Sequence, residues 1–240
     1  MTSPAVFLFA SEDGTVSGWS SSLPSTTNAF VMIDDSASSA NYKAITVSSD
    51  RLYLADFHNA RVVVYDDQLI ELTLAAGAFA APAGASGYAP FGIQAIGNEI
   101  FVAWAQRDPS TDDEVAGAGK GFVEVYDRNG TLVAEVAANG ELNAAWGIAM
   151  APSSFGAHSD ELLVGNFGDG RIIVFSRSGN TFTPRGHLLL RGGGAVEIEG
   201  LWGIAFGAGG GGYTGPTNAL FFAAGPDDEK HGLFGRIDVR

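Results

Sequence analysis

The sequence predicts an all-β fold, a β-propeller of four-stranded antiparallel blades, and three observations predict it. A short apolar run that ends in a small residue and then turns polar recurs five times, at intervals of roughly 45 to 60 residues, the spacing of a repeated supersecondary unit. Each copy is flanked by further short runs rich in Val, Ile, Phe and Leu and separated by hairpin-type turns such as Arg128-Asn129-Gly130-Thr131 and Arg177-Ser178-Gly179-Asn180. No stretch carries a helical period, so near-continuous apolar strands must be covered by other sheets. A two-sheet sandwich would also supply many strands, but it does not predict a four-strand period.

Within a unit the strands are labelled a to d in chain order. The most legible is b, at 7–10, 52–55, 100–103, 162–165 and 220–223. Strand c follows it at 15–19, 61–65, 122–126, 171–175 and 233–237. Strand a precedes b in four copies and carries Ala44-Ile45, Phe91-Gly92-Ile93, Trp146-Gly147-Ile148 and Trp202-Gly203-Ile204. Strand d is placed at 29–33, 69–74, 132–137 and 187–190. One domain therefore divides into five units, at about 5–34, 42–75, 90–138, 145–191 and 201–240. The first unit holds b, c and d, the middle three hold all four strands, and the last holds a, b and c.

Composition limits the partners. Thirteen Lys and Arg against 27 Asp and Glu give a net charge of −14, a field that repels phosphate backbones and anionic lipid, so nucleic acid is not an expected partner. With no Cys, disulfides and thiolate chemistry are excluded. No run approaches the roughly 18 apolar residues of a membrane span, and the segment 1–10 has neither the basic start nor the apolar length of a signal peptide.

In a propeller the b–c and d–a loops open on one face. Here the b–c loops carry Glu12 and Asp13, Asp56 and His58, Gln106 and Arg107, Asn166 and Asp169, and Asp227 and Asp228. Asp13, Asp56, His58, Asn166 and Asp227 occupy equivalent points beyond the b strands, so rotation about the propeller axis predicts a cation site. Oxygen donors outnumber the single imidazole, which favours Ca²⁺ with Zn²⁺ as the alternative. The competing explanation is that tight turns need Asp, Asn and Gly for backbone reasons. Phe91, Trp146 and Trp202, each before a Gly-Ile or its equivalent, read either as an aromatic collar at the channel mouth or as blade-to-blade packing. Trp104 stands in the slot of Asp56 and Asn166 and, with Gln106, offers a ligand surface. His158 falls on the opposite face, and His187 at the start of a d strand. The glycine-rich 117–121 lacks the spacing of a phosphate loop, 207–212 reads as a flexible insertion, and Ser86 does not sit in a nucleophile elbow.

The segments FLFASEDGTVSGW (7–19), YAPFGIQ (88–94), LLVGNFGDGR (162–171), LWGIAF (201–206) and AGPDDEKHGLFG (224–235) resemble an uncharacterised bacterial family of NHL-like six-bladed propellers, often exported and sometimes bearing PEP-CTERM sorting signals. The resemblance runs in order along the whole chain. It implies six blades in a full-length member, an N-terminally truncated chain here, and an extracellular or periplasmic location. It brings no reaction. Six-bladed relatives such as gluconolactonase-like lactonases and virginiamycin-type lyases use a metal on the b–c face. Two functions are therefore expected to compete: a non-enzymatic scaffold binding an unknown small molecule or protein, and a metal-dependent hydrolase or lyase.

Overall fold

The structure is a computed structural model and describes residues 4–22, 27–210 and 214–238. Residues 1–3 and positions 211–212 of the glycine-rich insertion lie outside the described residues. Five antiparallel sheets follow one another along the chain. The first holds β1 (Phe7–Ala10), β2 (Thr15–Trp19) and β3 (Phe30–Asp34), and the second β4 (Tyr42–Ser48), β5 (Arg51–Asp56) and β6 (Arg61–Asp66). The third holds β7 (Tyr88–Ile96), β8 (Glu99–Gln106), β9 (Phe122–Asp127) and β10 (Leu132–Ala138). The fourth comprises β11 (Ala145–Met150), β12 (Leu162–Asn166), β13 (Ile172–Ser178) and β14 (Thr181–His187), and the fifth β15 (Leu201–Phe206), β16 (Ala219–Ala224) and β17 (Leu233–Asp238). Sheets one and five have the three strands expected of them.

Two outer strands differ from expectation. In the second unit the segment 69–74 is not a strand. Asp66 caps its own turn by accepting bonds from the Gln68 and Ile70 amides, Leu69 takes φ 60°, and pairing stops after a single bridge between Tyr65 and Glu71. The chain then leaves to bury Phe79 between Tyr53 and Tyr126, at ring distances of 6.0 and 5.1 Å. In the fourth unit the outer strand begins at Thr181, directly after the turn, so His187 ends that strand instead of starting it. A bulge between Val174 and Phe175 absorbs the irregularity near Pro184, which an outermost strand tolerates because its amide side faces no ladder.

The hydrophobic core lies between the sheets. Four clusters separate the five sheets: Val16 and Leu54 belong to the first, Tyr53 and Val102 to the second, Phe101 and Val164 to the third, and Leu163 and Leu220 to the fourth. Strict alternation on b and c strands sends neighbouring residues to opposite cores, as Tyr53 and Leu54 do, which is why the runs read as continuously apolar.

One core holds a carboxyl. Glu124 is 4% exposed and hydrogen-bonded to the Tyr126 hydroxyl, which also lies 2.7 Å from the Ala80 carbonyl. Tyr126 has one proton for two acceptors, and burial pushes the Glu124 carboxyl up, so the protonated acid supplies the second. A carboxyl bound more tightly to its proton in the fold than in the unfolded chain stabilises fully below the ordinary carboxylate range, and that contribution is lost as pH rises through the raised value. Glu124→Gln should therefore raise stability at pH 8 by about 1 kcal/mol, with the gain fading towards pH 4. Urea titrations at the two pH values check this, and an equal effect at both would contradict it.

Candidate functional site

The b–c face is organised by a bulge repeated in each a strand. Pairing passes from Tyr42 to Ala44, from Pro90 to Gly92, from Ala145 to Gly147 and from Leu201 to Ile204. The skipped residues are Lys43, Phe91, Trp146, and Trp202 with Gly203. A bulge re-aims the extra residue out of the pleat. Here three of the re-aimed side chains meet: the Trp202 ring lies 5.6 Å from Phe91 and 5.5 Å from Trp146. Phe57 and Phe167, one residue past the ends of β5 and β12, complete the cluster at 5.4 Å from Phe91 and 4.5 Å from Trp202. Trp146 Nε1 donates to the Lys43 carbonyl at 3.1 Å. The collar expected from Phe91, Trp146 and Trp202 is thus also packing, because it fills its own centre: Phe57 and Phe91 are fully buried.

The close approach depends on glycine. A Cβ on Gly92 would lie 2.1 Å from the Trp146 carbonyl oxygen, and one on Gly147 would lie 2.6 Å from that of Trp202. The aromatic-Gly-Ile signature therefore encodes an aromatic turned inwards and a backbone bare enough for the next sheet.

Lys43 holds the equivalent slot in the second unit, and its frame with Phe91, Trp146 and Trp202 is a signal that the sequence reading passed over. Its side chain is 4% exposed; Nζ lies 2.6 Å from Glu12, 3.8 Å from Glu114 and 3.9 Å from Asp113, and 5.9 Å from the centre of the Phe57 ring. Burial pushes the Glu114 carboxyl up, and Lys43 works against that shift. Glu114 and Asp113 belong to the long b–c loop of the third unit. That loop is fastened again by Asp112, which pairs with His58 and Arg107, and by the Gly117 amide, which donates to Asn143 Oδ1 at 2.6 Å. Burial of Asp112 opposes its charge, but the His58 and Arg107 bonds prevail and hold its carboxyl below the usual range.

The residues expected to bind a cation are engaged elsewhere. Asp56 is fully buried, and its carboxylate accepts bonds from the Asn41 and Asn59 amides at 3.2 Å, from Asn59 Nδ2 at 2.8 Å and from Arg61 Nε at 3.4 Å. Asn166, also buried, does the same work in the fourth unit: Oδ1 accepts from the Asn143 amide at 3.1 Å, and Nδ2 donates to the Glu141 carbonyl at 2.8 Å. Both clasp the preceding d–a loop to the end of a b strand. Asp13 closes its own turn onto the Thr15 hydroxyl and amide, at 2.7 and 3.0 Å, which hold its carboxyl below the usual range. Asp227 is exposed at φ 59°, with its amide donating to Glu199 at 3.0 Å. Among the described residues no three His, Asp or Glu side chains form a group that could hold a metal ion. The donor set thus does not fit Ca²⁺ or Zn²⁺ as arranged; the turn explanation accounts for Asp13 and for the Asn59 bonds of Asp56, whereas Asn166 and the Asn41 bond of Asp56 serve the d–a loop. Trp104 lies wholly inside the core between the second and third sheets and leaves no face for stacking. Gln106 ends β8 partly buried, its carbonyl accepting from the Val115 amide at 2.8 Å. His158 pairs with Glu161 at 2.8 Å.

No family model matches the chain. It is 32% identical over 242 residues to an uncharacterized protein of Acanthamoeba polyphaga mimivirus, covering 99% of this chain and 58% of that protein. A second uncharacterized protein of the same virus is 30% identical over 204 residues, covering 83% and 38%. The chain spans about half the length of the curated relatives it matches. These viral relatives give no support to the bacterial origin that the resemblance implied. Among solved structures, a gluconolactonase from Xanthomonas campestris superposes with a TM-score of 0.61 at 17% identity, covering 96% of this chain and 71% of that one. A regucalcin from Agrobacterium tumefaciens, described as a calcium-binding protein, gives 0.55 at 14%, covering 95% and 68%. At such identities the likeness bears on fold. The fold shared with these structures is the β-propeller.

Proposed function

We propose that the protein is a non-enzymatic binding scaffold whose b–c face receives a basic partner surface. One observation carries this reading: polar groups near the axis are committed to one another, whereas the carboxylates of the rim stand free of the core. Asp56, Asn166, His58 and Lys43 are held by neighbouring loops, and aromatic rings fill the space where a substrate would enter. Around them Glu12, Asp113, Asp227 and Asp228 have side chains 61%, 65%, 63% and 94% exposed. Among the described residues two lysines and a histidine answer these four carboxylates, Lys43 at Glu12 and Asp113, Lys230 at Asp227 and Asp228, and His231 at Asp227, so acid still outweighs base on this rim, in keeping with the net −14 of the chain. Loops carried on a rigid sheet framework are also where recognition is usually placed.

A ten-residue oligolysine is the probe. It should bind at low salt, weaken at least tenfold between 50 and 300 mM salt as the Debye length shortens, and lose most of its affinity to the variant Asp113→Lys/Asp227→Lys/Asp228→Lys. Salt-independent binding, or binding unaffected by the triple reversal, would overturn the reading. A metal-dependent hydrolase or lyase remains the competing function, supported by the likeness to a gluconolactonase and to a calcium-binding regucalcin. Calorimetric titration with Ca²⁺ and with Zn²⁺ separates the two: saturable stoichiometric uptake, with loss of thermal stability on chelation, belongs to the enzyme reading.

A further inference from the structure

Four places in the chain set Asn or Asp before glycine: Asp13-Gly14, Asn129-Gly130, Asn139-Gly140 and Asp169-Gly170. Such pairs are chemically fragile, because glycine has no Cβ to shield its amide nitrogen from the side-chain carbonyl of the residue before it. The fold protects three of them in the same way. The Gly14, Gly130 and Gly170 amides donate to the carbonyls of Ser11, Asp127 and Asn166 at 3.1, 3.0 and 3.0 Å, and all three glycines are buried. The side chains before them are engaged as well: Asp13 accepts from the Thr15 hydroxyl at 2.7 Å, Asn129 Oδ1 from Arg51 at 2.9 Å, and Asp169 from the Arg171 amide at 3.1 Å.

Asn139-Gly140 has none of these restraints. Both residues are exposed, and among the described residues neither the Asn139 side chain nor the Gly140 amide has a hydrogen-bond partner. A Cβ built on Gly140 would meet only the Ala138 carbonyl oxygen, at 4.0 Å, so the nitrogen stands in the open just past the end of β10. We infer that Asn139 is a self-modification site, which deamidates through a cyclic imide in the folded protein while Asn129 is held back. The Gly140 nitrogen gives up its proton to hydroxide and bonds to Cγ of Asn139; the Cγ–Nδ2 bond breaks, and Nδ2 leaves as ammonia. Water then opens the ring. Cleavage at Cγ leaves aspartate. Cleavage at the main-chain carbonyl carbon leaves isoaspartate, whose chain runs on through Cγ and whose former main-chain carbonyl becomes the free carboxylate. One water is consumed, one ammonia is released, and nothing is oxidised or reduced. The product alters a fastened loop: the Asn139 carbonyl accepts the Leu142 amide at 3.0 Å, and Asn166 holds the Glu141 carbonyl at 2.8 Å and the Asn143 amide at 3.1 Å.

Incubation of the whole chain at pH 8 and 37 °C, followed by peptide mapping with fragmentation that resolves Asn129 from Asn139, tests this. Asn139 should gain the mass change of NH₂ replaced by OH about tenfold faster than Asn129, whose glycine must first give up a turn bond and a buried position. The rate should fall at pH 6, where less of the Gly140 amide is deprotonated. In guanidinium chloride the two sites should convert at similar rates, because the protection of Asn129 belongs to the fold. The deamidated protein, separated by anion exchange on its added charge, should exchange the Leu142 and Asn143 amides faster than the starting protein. Asn139→Gln should abolish the acidic species. Equal rates at the two sites in the folded protein overturn the proposal, as does an Asn139 that converts only in denaturant. A preference for Asn139 that persists unchanged in guanidinium chloride also overturns it, since the flanking sequence and not the fold would then set the site.

Discussion

Gly92→Ala is expected to lower stability by about 2–3 kcal/mol, the upper part of the range for overpacking a core. The added methyl would meet backbone, the Trp146 carbonyl oxygen at 2.1 Å and its carbon at 2.8 Å, and neither can swing aside as a side chain would. Relief requires the third and fourth sheets to part at the axis, which loosens the contacts that hold Phe91 against Trp202. Gly147→Ala should behave alike, with the Trp202 carbonyl oxygen at 2.6 Å. Gly203→Ala is the internal control. It occupies the same slot in the last unit, but its nearest neighbour is the Trp146 ring at 3.5 Å, an ordinary contact. Urea denaturation should show clear losses for the first two and a change within about 0.5 kcal/mol for the third. Equal losses at all three positions would mean that the bulge conformation, not the approach of the next sheet, requires glycine.

Asp56→Ala should cost about 3 kcal/mol, in the range for removing one member of a buried polar network. The loss would leave the Asn41 and Asn59 amides without their acceptor beside a fully buried site, and it would release Arg61 from its ion pair. Asp56→Asn should recover at least half of the loss, because Asn166 performs the equivalent clasp with an amide. Hydrogen exchange at the Asn41 amide should quicken in the Ala variant and stay slow in the Asn variant. A variant of unchanged stability with weakened Ca²⁺ binding would restore Asp56 as a ligand.

The strand pattern was legible because the b and c strands of the middle three units are buried on both faces, so composition alone marks them, and the first and last units repeat the same pattern although Phe7, Phe9 and Phe234 are exposed. The outer strands were less legible: position d is covered on one side only, its apolar demand is weak, and local turn chemistry at Asp66 and at Arg177-Ser178-Gly179-Asn180 decides where pairing begins and ends. The candidate site divided in the same way. Asp56 and Asn166 were visible as equivalent points beyond the b strands, but whether a carboxylate faces solvent, a cation or three amides depends on where the preceding d–a loop comes to rest.

By itself, the sequence determined an all-β chain of five repeated sheets, three-stranded at both ends, with aromatic residues before glycine at the head of the a strands. Period and burial are local properties, carried by residues within one strand and its hairpin neighbours. Only the tertiary structure decided that the bulged Phe91, Trp146 and Trp202 fill the axis, that Lys43 takes the fourth place among Glu12, Asp113 and Glu114, and that Trp104 belongs to a core. Those outcomes depend on the rotation between sheets, which is fixed where the Gly92 and Gly147 backbones meet the next strand, over contacts some 55 residues apart along the chain.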